Sequence, residues 1–464
     1  MTTPLSLNLM QAQMFLDDTL IADQARLQRR PHQARKHPEP ILRPDRPWEG
    51  RVPVMYGTVL RREGRFQMWY CTSGPAKTVQ VCYAESDDGL TWRKPDLGLI
   101  EYEGSRKNNI CLAPEFSRYI DDISVIDDPQ DAQWPLKALF WEPCGEQEPR
   151  YGIRAARSRD GIKWEILPGY VLPRWGDRFN AMPHRENGKF VVLGREPDHR
   201  LKYDQDRTVS RTESEDLVHW SEPILIHKPD LRDEPQMRIY SATAFRYEGQ
   251  LLGFLERMHM RPDVLDNELT WSHDGLKWQR SAERLAFIPR GEYGTWDGAW
   301  LNLNSGPPVE HEDRLWFYYS GRSGCHATPY PNVGAFGMAT LRRDGFFSID
   351  AEEEPGFLQT HPFIWQGDEL LVNVDTRRSE AAHPNYPAGW LAVEVRDERN
   401  APIAGYTEQD CIKVTHNSER RGRRCYLPVR WTGERRLGSL AGHVVQLRFI
   451  LRDASLYAFK AGTA

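Results

Sequence analysis

Five clusters of charged and aromatic residues stand just ahead of apolar, strand-like runs: Trp48 with Glu49, Asp121 with Asp122, Asp177 with Arg178, Arg238 with Tyr240, and Trp296 with Asp297. A second series follows the next strand-like run of each stretch: Glu142, Arg195 with Glu196, Glu256 with Arg257, and Arg322 followed by His326. Two carboxylates facing each other across a cleft can cleave a glycosidic bond. One, kept protonated by its surroundings, gives a proton to the leaving oxygen, and the other attacks the anomeric carbon or activates water. A separation of about 5 Å implies retention of configuration, and roughly 6.5–9.5 Å implies inversion. Solvation does not require charges to fall in such phase, although like-phased Arg and Asp residues also form structural ion pairs.

The elements that would position these residues come from a repeat. Ser86-Asp87-Asp88-Gly89-Leu90-Thr91-Trp92 recurs as Ser158-Arg159-Asp160-Gly161-Ile162-Lys163-Trp164 and as Ser272-His273-Asp274-Gly275-Leu276-Lys277-Trp278. Ser214-Glu215-Asp216-Leu217-Val218-His219-Trp220 lacks the glycine, and Asp344-Gly345-Phe346 is an eroded fifth copy. Each copy predicts a turn in which Asp bonds back to backbone N–H groups, Gly takes the positive φ and Trp packs inward. Strand-like runs precede the turns at Val79–Glu85, Tyr151–Ala156, Thr208–Glu213, Glu268–Trp271 and Ala335–Leu341. Two further runs lie upstream of each, so every unit reads as a four-stranded antiparallel meander. The fold class predicted is all-β, a five-bladed β-propeller over 46–350, since a closed radial array protects its edges. An open solenoid is the competing arrangement, but its repeats are usually shorter.

Residues 1–45 read as an N-terminal extension with one strand candidate, Met14–Ile21. Beyond 355 the turn signature stops, and Glu369–Val374, Gly389–Arg396, Cys425–Trp431, Val444–Leu451 and Ser455–Phe459 predict a small C-terminal β-sandwich. Sixteen Trp, eighteen Tyr and seventeen Phe suit the stacking of sugar C–H faces on rings, but large β-proteins also bury many aromatics. Net charge is −5 with both signs interspersed, which leaves no electrostatic footprint for nucleic acid. The basic cluster Arg420 to Arg424 reads as a solvated loop. Seven scattered cysteines without CxxC spacing argue against a disulfide framework and a zinc site. Neither a signal-peptide core nor a membrane span is legible, so the expectation is a cytoplasmic protein, with a removed leader left open.

On the phrases Pro47-Trp48-Glu49-Gly50, Met68-Trp69-Tyr70 and Gly294-Thr295-Trp296-Asp297, together with the layout, the chain resembles the glycoside hydrolase family 32 and 43 superfamily. The resemblance implies an Asp beside the first strand of blade one as base or nucleophile, a tuning Asp on blade two and a Glu from a later blade as acid. Here blade one reads Tyr56-Gly57-Thr58-Val59, with Gly57 where an Asp-Pro pair would stand. Either Glu49 takes that role, or the reaction differs, or the propeller only binds. Asp122 matches blade two, Asp177 blade three, and Glu256 is the acid, with Glu196 and Glu292 behind it. The repeated turn also resembles a shortened sialidase Asp-box, which is structural. Arg178, Arg238, Arg257 and Tyr293 leave a sialidase site open, but five blades count against it.

The chemistry expected is glycoside hydrolysis of a carbohydrate by Glu49, Asp122, Asp177 and Glu256. Trp48, Arg178, Glu196, Arg238, Tyr240, Arg257, Glu292, Trp296, Asp297 and His326 would contact substrate. No organic cofactor is called for and no ligand cluster identifies a metal, although an axial ion such as calcium is left open. The alternatives are a non-catalytic carbohydrate-binding or scaffolding propeller, and a uronate lyase using Tyr240, Tyr293 or His326 as base beside an arginine. Two carboxylates from different blades, not both neutralised by arginine, would separate the enzyme from the binder.

Overall fold

The computed structural model describes residues 3–50, 54–73, 79–115, 120–144, 149–198, 202, 207–326, 332–376, 389–415 and 425–462. The basic cluster at Arg420 to Arg424 lies outside them. Strands dominate the described residues, with short 3-10 turns and no helix long and apolar enough to cross a membrane. The chain divides into two compact units.

One unit comprises residues 34–309 and 316–340. Among the described residues its strands form four sheets, of four, five, four and nine strands. Within them five antiparallel groups of four follow in chain order, the last two sharing the nine-stranded sheet. The first is Val54–Arg62, Arg65–Ser73, Val79–Ser86 and Ile110–Leu112; the second is Asp121–Asp127, Leu136–Pro143, Tyr151–Ser158 and Trp164–Ile166. The third is Phe179–Ala181, Phe190–Gly194, Val209–Ser214 and Ile224–His227. The fourth is Met237–Tyr247, Gln250–His259, Val264–Ser272 and Trp278–Arg280. The fifth is Trp300–Leu303, Arg314–Arg322 and Gly334–Arg342, and its outer strand, Arg35–Lys36, comes from the N-terminal segment. A parallel bridge between Leu265 and Trp300 joins the fourth and fifth groups; no sheet closes on itself.

First strands pack on one another in turn. Val54–Arg62 lies against Asp121–Asp127, which lies against Phe179–Ala181, which lies against Met237–Tyr247, and Trp300–Leu303 returns to Val54–Arg62. Hydroxyl and amide side chains stitch this seam. Thr58 Oγ1 contacts Ser305 Oγ at 2.5 Å and accepts from the Val125 N–H at 2.8 Å, while Asn180 Nδ2 donates to Ser241 Oγ at 2.8 Å. Buried polar groups satisfied in this way fix one register where apolar packing alone would tolerate several.

The repeated turns form as their residues dictate. Asp88 Oδ1 accepts from the Leu90 and Thr91 N–H groups, Ser86 Oγ accepts from the Gly89 N–H at 2.9 Å, and the Trp92 indole donates to the Gly89 carbonyl. The second and fourth copies repeat this set around Asp160 and Asp274. In the third copy Leu217 takes φ +67 where the others have glycine, and its side chain is buried among Leu139, Trp141 and Phe190. The turns also dock across sheets: the Trp69 indole donates to the Gly161 carbonyl at 2.6 Å, and the Tyr318 hydroxyl to the Gly89 carbonyl at 3.1 Å.

The other unit comprises 3–33, 310–315 and 341–462 among the described residues. One of its sheets orders Gln28–Pro31, Phe347–Ala351, Ala454–Gly462, Glu369–Asp375 and Tyr426–Pro428, with Gln13–Met14 also on Ala454–Gly462. Another orders Ile21–Ala25, Gly356–Thr360, Val444–Arg452 and Phe363–Ile364, with Trp390–Arg396 on the same long strand. Phe15, Trp365, Val372, Val393, Phe449 and Phe459 share one buried core. The first 33 residues thus belong to this unit as strands, and the eroded fifth turn is here too, with Asp344 accepting from the Tyr426 hydroxyl.

Candidate active site

The leading ends of the five first strands bring together Tyr56, Asp121, Asp122, Arg178, Tyr240 and Trp300. In a meander the end of the second strand and the start of the third open at the same place, which adds Glu256, Arg195, Arg207, Arg322 and His326. The contacts bear this out. The Tyr56 and Tyr240 hydroxyls meet at 2.8 Å, and Tyr240 packs edge-on against Trp300. His326 stacks on Trp300 with ring centroids 5.3 Å apart. Three guanidiniums cover aromatic faces: Arg178 over Tyr56, Arg207 over Tyr240 and Arg322 over Trp300, each within 4.7 Å of the ring centroid.

Arg178 is the buried hub. Its Nη1 donates to Asp122 Oδ2 at 2.6 Å, while Nε and Nη2 donate to the two Glu256 oxygens at 3.1 and 2.9 Å. Asn302 Nδ2 gives Glu256 Oε1 a further bond at 3.0 Å. Glu256 is therefore fully buried with both oxygens engaged, which suits a positioning group and not a proton donor to substrate. Asp122 sits at φ +64, takes the Phe179 N–H as well, and leaves its Oδ1 buried without a hydrogen-bond partner. Burial pushes Asp122 up to about 6, against the pull of Arg178.

Asp121 differs from its neighbour. It keeps part of its surface in contact with solvent and has no salt-bridge partner among the described residues. Its crowded surroundings, and next the charge of Asp122, push it up to about 7, with Arg178 and Arg195 opposing. The cations are strained in the same way. Arg195 pairs with Asp177, yet burial and the like charge of Arg207 hold it down at about 10. Burial, Arg207 and Arg322 hold His326 below its ordinary range.

The remaining expected residues lie elsewhere or are engaged. Glu49, in the turn Pro47–Glu49, is buried and fully satisfied by the Tyr70 hydroxyl at 2.7 Å, Lys94 Nζ at 2.7 Å and the Asp45 and Arg46 N–H groups. Trp48 donates to Asn109 Oδ1, beside the outer strand of the first sheet, and meets Tyr102 edge-on. Glu196 is buried against Ser210 and Lys202. Arg257 joins Asp266 and Glu268 in an ion-pair network with Arg280. Asp297 is held by Lys36 and the Tyr319 hydroxyl, and Trp296 stacks on Tyr319. Glu292 and Tyr293 are exposed on the loop before the fifth group. Arg238 Nη1 donates to its neighbour's carbonyl, Met237 O, at 3.2 Å.

Asp122, Arg178, Glu256, Tyr240 and His326 are thus brought together. Glu49, Trp48, Arg257, Trp296 and Asp297 are committed to bonds and packing of their own, and Asp177 joins the cluster only through Arg195. Of the four carboxylates expected to act, Glu49 pairs with Lys94, Asp177 with Arg195, and Asp122 and Glu256 share Arg178. Gly57 also has a physical reason. A Cβ there would stand 2.1 Å from the Trp69 carbonyl oxygen, so no acidic side chain fits at that position. Asp121, Tyr56, Arg207 and Trp300 are the residues the phase reading underused. Asp121 stands next to Asp122 in the sequence, and Arg207 leads a third strand, away in sequence from the first-strand and second-strand ends that carry the phased charges. Among the described residues no group of His, Cys, Asp and Glu could hold a metal.

No family model and no curated protein matches the chain. Among solved structures, a glycosyl hydrolase from Bacteroides ovatus aligns with a TM-score of 0.48 at 12% identity, over 68% of this chain and 94% of its own. An N-acetylgalactosamine deacetylase from F. plautii aligns at 0.48 with 16% identity, over 68% and 96%. A β-1,2-mannobiose phosphorylase from Listeria innocua aligns at 0.47 with 14% identity, over 67% and 97%. These neighbours act on carbohydrates. The likeness is too distant to carry an activity across, so the chemistry rests on the side chains.

Proposed function

We propose that the five groups of strands are the blades of a five-bladed propeller, that the second unit is a β-sandwich, and that the first-strand ends cleave a glycosidic bond in a carbohydrate. The observation that carries this is Asp121: a carboxyl without a salt-bridge partner among the described residues, part-exposed, and near Tyr56, whose hydroxyl meets that of Tyr240. Protonated, Asp121 gives its proton to the glycosidic oxygen as the bond to the anomeric carbon breaks. Water adds to that carbon and loses a proton to a base. Asp122 is assigned that second role through Oδ1, which is buried without a hydrogen-bond partner and has to be opened to the water as substrate binds, while Arg178 holds Oδ2. Two adjacent acids split in this way provide an acid and a base near neutral pH.

The test is a panel of aryl-glycosides and oligosaccharides offered to the wild type and to Asp121→Asn, with products separated and counted. Turnover of at least one substrate, reduced by about 10²- to 10⁴-fold in Asp121→Asn, supports the reading. Unchanged turnover in the variant removes Asp121 as the acid. Binding of a glycan without cleavage makes the chain a carbohydrate-binding module.

A further inference from the structure

Of the four arginines at these strand ends, two have a carboxylate partner among the described residues and two do not. Arg178 is shared by Asp122 and Glu256, and Arg195 has Asp177. Arg207 and Arg322 have no carboxylate partner among the described residues, and both act on His326. Nε of Arg195, in a side chain more than nine-tenths buried, and Nε of Arg322 are buried without a hydrogen-bond partner. Arg207 and Arg322 are part-buried, and like charges held close together attract an anion between them. Cation–π contacts with Tyr240 and Trp300 hold the two free guanidiniums in place.

We propose that this end of the sheets is a subsite for the carboxylate of a uronic acid residue, with Arg207 and Arg322 as the receiving groups. The inference rests on reading the site as glycan-binding and names the class of sugar it takes. A planar carboxylate matches the guanidinium fork and can be held by two parallel N–H···O bonds. The adjoining rings of Trp300 and His326 give the apolar face of the same sugar a surface to lie on. A neutral hexose would leave both guanidiniums uncompensated. Arg195 links this subsite to Asp121, since both Arg207 and Asp121 act on it.

Calorimetric titration of full-length Asp121→Asn separates binding from cleavage. Short oligogalacturonates and oligoglucuronates are the probes, each compared with its methyl ester and with neutral oligosaccharides of equal length. Expected are saturable binding of one free uronate and at least a tenfold weaker Kd for its methyl ester. Arg207→Gln and Arg322→Gln, each added to that background with its fold confirmed by an unchanged melting profile, should also weaken binding at least tenfold. Arg207→Lys should fall in between, because it keeps the charge and loses the fork. Equal binding of ester and acid, preference for a neutral oligosaccharide, tighter binding of inorganic phosphate than of any uronate, or indifference to both arginine variants would overturn the proposal. A uronate that binds and is never cleaved by the wild type leaves this subsite standing and refutes the cleavage reading. Neutral glycosides cleaved with dependence on Asp121, without uronate binding, do the reverse.

Discussion

At the scale of residues, the account turns on two neighbouring aspartates with different surroundings. Removal from water pushes Asp121, part-exposed but crowded, up to about 7 and the fully buried Asp122 up to about 6, both above the ordinary carboxyl value of 3.8. Cleavage that uses Asp121 as the acid should therefore persist to a higher pH than an ordinary carboxyl allows and fall once Asp121 loses its proton. Asp122→Asn removes the negative neighbour, so any residual activity should lose its alkaline limb at lower pH; a limb that stays put refutes the coupling. The linkage to stability has a definite sign. Folded carboxyls that titrate higher than unfolded ones bind extra protons between about pH 4 and 7, so their contribution to stability is lost as pH rises through that window. Asp121→Asn cannot ionise, so it should be more stable than wild type at pH 8 and no more stable at pH 4. Thermal melts at the two pH values check this. The aspartate pair was visible in the sequence. Which member is free was not, because Arg178 reaches Asp122 from another sheet.

At the scale of elements, the repeated turns were legible because their bonds run between residues two to five apart. Their one irregularity is informative. Leu217 in the left-handed region costs about 1–2 kcal/mol, but burying a leucine gains about 1.5–3 kcal/mol, and a glycine there would add disorder to the unfolded chain. Leu217→Gly should therefore destabilise by about 1–2 kcal/mol, measured by denaturant unfolding, even though it restores the repeat. Glu49 shows the opposite limit of sequence reading. Beside an apolar run it looked catalytic, but Tyr70 and Lys94 are brought to it only by the folded sheet and its loops. Glu49→Gln should cost about 2–4 kcal/mol of stability while the folded fraction keeps its turnover number. A collapse of turnover in a fully folded variant would return Glu49 to the site. Gly57 belongs here too: the carbonyl of Trp69 occupies the space that an acid would need.

At the scale of the whole molecule, the meanders and their order could be read in advance because each is built from neighbouring segments. The pairing of Arg35–Lys36 with Ala339 and Thr340 could not, since a two-residue strand has no periodicity and its partner lies at the far end of the unit. The same holds for Gln13–Met14, Ile21–Ala25 and Gln28–Pro31, which join sheets with C-terminal strands. What the sheets accomplish is convergence: five first strands deliver one or two side chains each to a common end, and an acid without a salt bridge stands among them. The most direct measurement is a crystal structure of Asp121→Asn with a bound oligosaccharide from the binding series. The sugar should lie across the first-strand ends, its glycosidic oxygen about 2.6–3.2 Å from the side chain at position 121. A glycan seated on the outer strands, or on the other unit, with position 121 out of reach would contradict this.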